Sequence, residues 1–285
     1  MKHLLFLFCG FCIAPFALAD GHGPVFGLAT PTNSQGEWSL DTGVFGRASD
    51  LGTQASVREL IGYGVTPHLT LVLTAPVVAG DLNLTPTRIQ PGADFDAGIK
   101  WRFQHRATKV GTRIESTAFA SVVAPGPQSG YGSILSTSAP GVMFGAVTGM
   151  ASRSHYVWLG ATFTKFFEHS GDKRPDVLAY SLVYGYRPPG WRRPPDKWDW
   201  RVFAELVGEH SDRFLAGSIA VPQTQSQQVF LGPTLLGIHR NYTISFGAQA
   251  PICQFVGSYF PHERVRFAVN FSYLLFQHSH GGKEK

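Results

Sequence analysis

The residues able to do chemistry in this chain are mostly charged and recur at alternate positions. Asp94, Asp96, Lys100 and Arg102 follow this spacing, with Gly98 between them, and so do Arg113 and Glu115, Arg201, Glu205 and Glu209, and Arg264 and Arg266. In an extended strand successive side chains point to opposite faces, so each set shares one face. Acids and bases lining one surface either guide a solute with their field or pair off where water is scarce. Both readings stay open at this level. Glu205 is the residue to test first, because the other face of its strand is apolar.

Two further sets bear on catalysis and metal binding. Ser154 and His155 are adjacent at a turn, where consecutive strand side chains diverge, and no nucleophile-elbow motif accompanies them. No catalytic residue is assigned, and the chain is expected not to be an enzyme. His278 and His280 near the C-terminus, with His22 near the start, offer imidazoles to a borderline metal. A stable site wants three or four ligands, so a polar tail is the expected reading, with no metal or cofactor.

The elements that would position these residues begin with export. Lys2 and His3 precede an apolar run over residues 4–16, and Ala17-Leu18-Ala19 precedes Asp20. That is the pattern of a cleaved signal peptide over residues 1–19. The run is too short for a membrane helix, which needs about 20 residues. Cys9 and Cys12 leave with the signal, so Cys253 remains alone and no disulfide framework is available. The whole chain carries 24 Lys+Arg against 19 Asp+Glu, a net charge of +5. So mild and dispersed an excess gives no reason to expect nucleic acid as a partner.

Alternation with a period of two sets the fold class. Over residues 264–276, Val265, Phe267, Val269, Phe271, Tyr273 and Leu275 share one face, and Arg264, Arg266, Ala268, Asn270 and Ser272 the other. Residues 94–104 repeat the pattern with Phe95, Ala97, Ile99, Trp101 and Phe103. A soluble sandwich would also alternate, but strands this long suit a tilted membrane strand of about 9–11 residues. The same signal covers residues 38–46, 57–66, 69–77, 113–123, 142–151, 156–168, 177–186, 200–210, 228–236 and 242–251. The expected fold is all-β: a transmembrane antiparallel up-and-down β-barrel of about 12 strands over residues 20–285. Short connections at 66–68, 152–154 and 237–241 alternate with longer ones at 47–56, 78–93, 124–139, 211–227 and 252–263. Residues 187–197 are long for a short-side turn, and 168–176 short for a long-side loop. Trp38, Tyr63, Trp101, Tyr156, Trp158, Tyr184, Tyr186, Trp198, Trp200, Tyr242 and Tyr273 fall near strand ends, as the girdles of a membrane barrel would.

Several short segments resemble a known family. They are Gly23-Pro24-Val25-Phe26-Gly27, residues 203–209 (Phe-Ala-Glu-Leu-Val-Gly-Glu), Phe230-Leu231-Gly232-Pro233, Gln249-Ala250-Pro251 and Pro261-His262-Glu263-Arg264. Together they resemble the outer-membrane "transporter" family, also called the MetA-pathway of phenol degradation family. The resemblance implies a barrel in the outer membrane of a Gram-negative bacterium that passes small, aromatic or hydrophobic solutes. Its expected partners are outer-membrane lipid, the barrel assembly machinery and the solute itself. The alternatives are a barrel enzyme acting on lipid and an accessory or structural barrel associated with metal efflux. The tail after Phe276 departs from barrels that end on a terminal aromatic residue.

Overall fold

The computed structural model describes residues 23–50, 52–80, 94–125 and 139–276. The expected signal segment, His22 and the tail bearing His278 and His280 lie outside the described residues.

In chain order the strands are β1 (Glu37–Ser49), β2 (Gly52–Thr66), β3 (Leu69–Gly80), β4 (Phe95–Ala107), β5 (Arg113–Ala124), β6 (Gly141–Ala151), β7 (His155–Phe166), β8 (Glu168–His169), β9 (Asp172–Lys173), β10 (Val177–Tyr186), β11 (Asp199–Ser211), β12 (Leu215–Ala216), β13 (Ile219–Ala220), β14 (Ser226–His239), β15 (Tyr242–Val256) and β16 (Glu263–Phe276). Twelve of them form a closed antiparallel barrel in sequence order, sealed where β1 pairs with β16. The four short strands β8, β9, β12 and β13 make a separate small sheet at one end.

Closure leaves no unpaired barrel edge, which is the condition for a sheet to stand in lipid. The outward face carries the apolar residues of the alternation: Leu40 and Val44 on β1, Ile99 on β4, Leu159 on β7, and Phe267, Val269 and Phe271 on β16 are exposed. Val269 lies between Val44 and Phe246 in the register, inside this belt. Arginine there would set a charge against lipid, at a cost of about 2–4 kcal/mol near the bilayer midplane. Val269→Arg is therefore expected to lower the urea midpoint of the barrel refolded in vesicles; an unchanged midpoint would refute the lipid assignment of this face.

Tyr and Trp rings gather at the end of the short turns. Trp38 meets Tyr63 at 4.6 Å, Tyr242 meets Tyr273 at 4.8 Å, and Trp198 meets Trp200 at 5.7 Å. Tyr156 and Trp158 depart from the expected girdle and are buried inside the barrel. On β7 the outward face takes the alternate set led by Leu159 and Ala161, which sends these two rings inward.

The strands also run further than the apolar alternation does. The expected loop over 47–56 is a tight connection between Ser49 and Gly52, and β15 continues to Val256. Hydrophobic patterning ends where lipid ends, whereas backbone pairing continues into polar sequence. For the same reason residues 168–173 and 215–220 form short hairpins, joined where β9 pairs with β12.

Candidate functional site: a segment held inside the barrel

Twelve strands about 4.8 Å apart, tilted by about 40°, give a backbone radius of roughly 12 Å. Such a lumen is too wide for wall side chains to fill alone, and residues 23–33 occupy part of it. The segment rises from the short-turn end, bends at residues 25–27, and turns back so that Gly23 lies against Ala29. None of residues 23–33 is in a strand, so their polar groups need partners from the wall.

Glu205 supplies three of them from one side chain. Its carboxylate accepts the backbone N–H groups of Val25, Phe26 and Gly27 at 3.0, 2.8 and 2.7 Å. Three consecutive N–H groups wrapped around one carboxylate form an anion nest. Glu205 is fully buried, so those donors replace the water its charge has lost. Gly27 fits because it has no side chain: a Cβ there would stand 2.4 Å from Val183 Cγ2. Below this latch, Leu28 N–H donates to Ser181 Oγ at 3.0 Å. Thr30 donates its hydroxyl to Glu115 at 3.1 Å, its hydroxyl oxygen accepts the Trp158 indole N–H at 3.1 Å, and its carbonyl accepts the Thr117 hydroxyl at 2.6 Å. Asn33 N–H donates to Thr70 Oγ1 at 2.9 Å, where the segment leaves the lumen.

The wall behind the segment is apolar. Phe119, Val147, Tyr156, Trp158, Val183, Phe203, Leu236 and Ile238 form one buried cluster, and Leu28 and Ala29 pack on it. These inward positions act as a hydrophobic core within the barrel, beside the charged residues that share the same faces.

The space left open lies on the opposite side. A cavity of about 420 Å³ runs below the bend of the segment, and one of about 360 Å³ lies above it. Val25, Phe26, Phe45, Arg58, Thr74 and Asp96 line both, so they mark the constriction between segment and wall.

The charged candidates fall into groups along the barrel. At the long-loop end Arg266 makes a bidentate pair with Glu209 at 2.6 and 3.1 Å and a second with Glu263 at 2.7 and 3.0 Å, its guanidinium 3.7 Å over Phe230. Arg47 joins Glu263 at 3.1 Å, and Asp94 meets Arg174 at 2.7 Å. At the short-turn end Arg102 pairs with Glu115 at 3.1 Å, Arg201 lies 3.5 Å from Asp199 and over Tyr156, and Arg113 opens β5, half-buried. Asp96 and Lys100 face the lower cavity. Arg264 differs from the expected register: it is the extra residue of a bulge between β1 and β16 and is exposed. That bulge carries Glu263 to the inner face beside Arg266. Arg47, Asp41, Arg58, Ser181 and Glu263 belong to the lining as well, and the alternation in β1 and β2 carried the signal for the first three.

Ser154 and His155 diverge: the serine hydroxyl receives Arg192, and the exposed imidazole meets the Tyr184 hydroxyl at 2.9 Å. Among the described residues no group of three or more His, Cys, Asp or Glu is arranged to hold a metal ion.

No family model matches the chain, and no curated protein matches it either. Among solved structures it is similar to the COG4313 outer membrane channel from Pseudomonas putida F1. The TM-score is 0.64 at 11% identity, over 88% of this chain and 100% of the other. That likeness is one of fold. The NanC porin, at TM-score 0.48 and 8% identity over 82% of this chain and 98% of that one, and the KdgM porin, at 0.45 and 11% over 84% and 99%, are further matches. The segments that carry the family resemblance in the sequence converge inside the barrel. Residues 23–27 wrap Glu205, Gln249 donates to the Glu205 carbonyl at 3.2 Å, and Phe230 and Glu263 flank Arg266.

Proposed function

We propose that this chain is an outer-membrane protein of a Gram-negative bacterium that lets small, aromatic or hydrophobic solutes cross past its internal segment. In this reading a signal over residues 1–19 is cleaved, and residues 20–285 form the barrel domain, folded by the barrel assembly machinery into outer-membrane lipid. The observation that carries it is the latch on Glu205, which holds residues 25–27 across the lumen by hydrogen bonds rather than by continuous sheet. Such bonds exchange with water when the segment moves aside, whereas a strand of the wall could not leave without opening the barrel. The apolar cluster behind the segment offers an aromatic solute a compatible wall once Leu28 and Ala29 withdraw. The fold shared with a structure described as an outer membrane channel supports the reading, and so does the resemblance to the transporter family.

Planar-bilayer recording tests it. The mature protein is expected to show brief, small openings, and deletion of residues 23–33 to give sustained openings of larger conductance. A folded barrel that conducts in neither form would overturn the proposal.

A further inference from the structure

The constriction and the cavity below it carry charges that the protein leaves apart. Arg58 and Lys100 both lie within electrostatic reach of Asp41 and Asp96. Among the described residues none of the four makes an ion pair within 4.0 Å. This contrasts with Arg266, Arg102 and Arg174, which are each held by a carboxylate at 3.1 Å or less. Both cations lie near aromatic rings instead: Arg58 stands 4.5 Å from the centre of the Phe45 ring, and Lys100 stands 6.0 Å from that of Phe119, at the edge of cation–π reach. All four charged groups line the 420 Å³ cavity below the bend, and Arg58 and Asp96 line the upper one too.

The Thr74 hydroxyl reaches Asp96; beyond that contact, charges of both signs that face a cavity without touching are left to water or to a solute carrying the complementary groups. A simple anion would meet Arg58 and Lys100 but would also approach Asp41 and Asp96, and a simple cation faces the converse conflict. A solute bearing an ammonium and a carboxylate on one small centre satisfies both pairs at once. The rings of Phe45 and Phe119, which back the cations, leave apolar surface for the rest of the solute. We infer that the lower cavity, up to the constriction, is a binding site for small zwitterions with an apolar or aromatic side group. The inference rests on the passage reading above, and names the class of solute that the path favours.

Three probes that share a phenyl group separate the charges: L-phenylalanine carries both, 3-phenylpropionate only the acid, and 2-phenylethylamine only the amine. Binding to the full mature barrel in detergent micelles is measured by calorimetry at neutral pH. L-phenylalanine is expected to bind about tenfold more tightly than either singly charged probe, the margin of one charge-assisted contact. Arg58→Gln and Asp41→Asn are each expected to remove that margin, while Arg106→Gln, at an exposed position by the β4–β5 turn, leaves it intact. Heat-modifiable gel mobility confirms folding of each variant, and Lys100→Met stands in for any variant that fails it. Equal binding of the three probes, or tighter binding of a singly charged one, would overturn the inference. Salt conductance in bilayers reports the passage reading separately: an open channel with no preference among the probes sinks only the zwitterion site.

Discussion

If solutes pass the internal segment as proposed, Glu205→Ala is expected to unlatch it and raise the open fraction by at least about a hundredfold. The carboxylate accepts three N–H groups at 2.7–3.0 Å in a fully buried position. Hydrogen bonds to a charged group contribute about 1.5–3 kcal/mol each, and the alanine variant leaves all three donors without that acceptor. Water entering the vacated space recovers part of the loss, so the net shift is placed at about 3 kcal/mol, or roughly two decades. Glu205→Gln keeps one acceptor oxygen and should fall between wild type and alanine. Ser181→Ala removes only the neutral bond to Leu28 and should shift the equilibrium by less than about tenfold. The graded order separates loss of the latch from general loosening. The barrel itself should remain folded, because the Gln249 contact reaches the backbone carbonyl of residue 205 and not its side chain. Open probability in planar bilayers is the measurement; an alanine variant gating like wild type would remove Glu205 from the mechanism.

Arg266→Met is expected to cost the barrel about 3 kcal/mol of stability without comparable change in gating. One guanidinium holds Glu209 and Glu263 together, and both carboxylates lie on the lumen side near the long-loop end. Removing it leaves two like charges, with only Arg47 on Glu263 to offset them. Breaking a buried pair from one side costs about 3–5 kcal/mol; the lower figure applies here because the Glu209 side chain is 30% exposed. The compensated variant Glu209→Gln/Glu263→Gln/Arg266→Met should recover most of the loss, since an uncharged set carries no stranded charge. Urea midpoints of the refolded protein decide this, and a midpoint unmoved by Arg266→Met would show that the cluster is solvated rather than structural.

How much of this was legible beforehand varies with the length scale of the cause. Residues 264–276 and 94–104 announce their strands because lipid on one side and lumen on the other impose a period of two on adjacent residues. The inward direction of Glu205, Glu209 and Arg266 follows from the same local rule. Arg264 escapes it, because a single bulged residue leaves the alternation to its right intact and shifts what lies to its left. Tyr156 and Trp158 escape it differently. Near a strand end, a ring suits the headgroup level or an apolar lumen equally, and only the neighbouring walls select between them.

The sequence by itself determined the class of fold, a count of about 12 strands, the apolar outward face and the position of the terminal strand ending at Phe276. Each is a property of residues one or two positions apart. Only the tertiary structure showed that residues 23–33 lie inside the barrel, that Gly27 reaches Glu205 across 178 positions of chain, and that Arg58 and Lys100 face Asp41 and Asp96 unpaired. Those contacts arise when the sheet closes and brings distant strands around one lumen, and no local periodicity encodes which inward residues then meet.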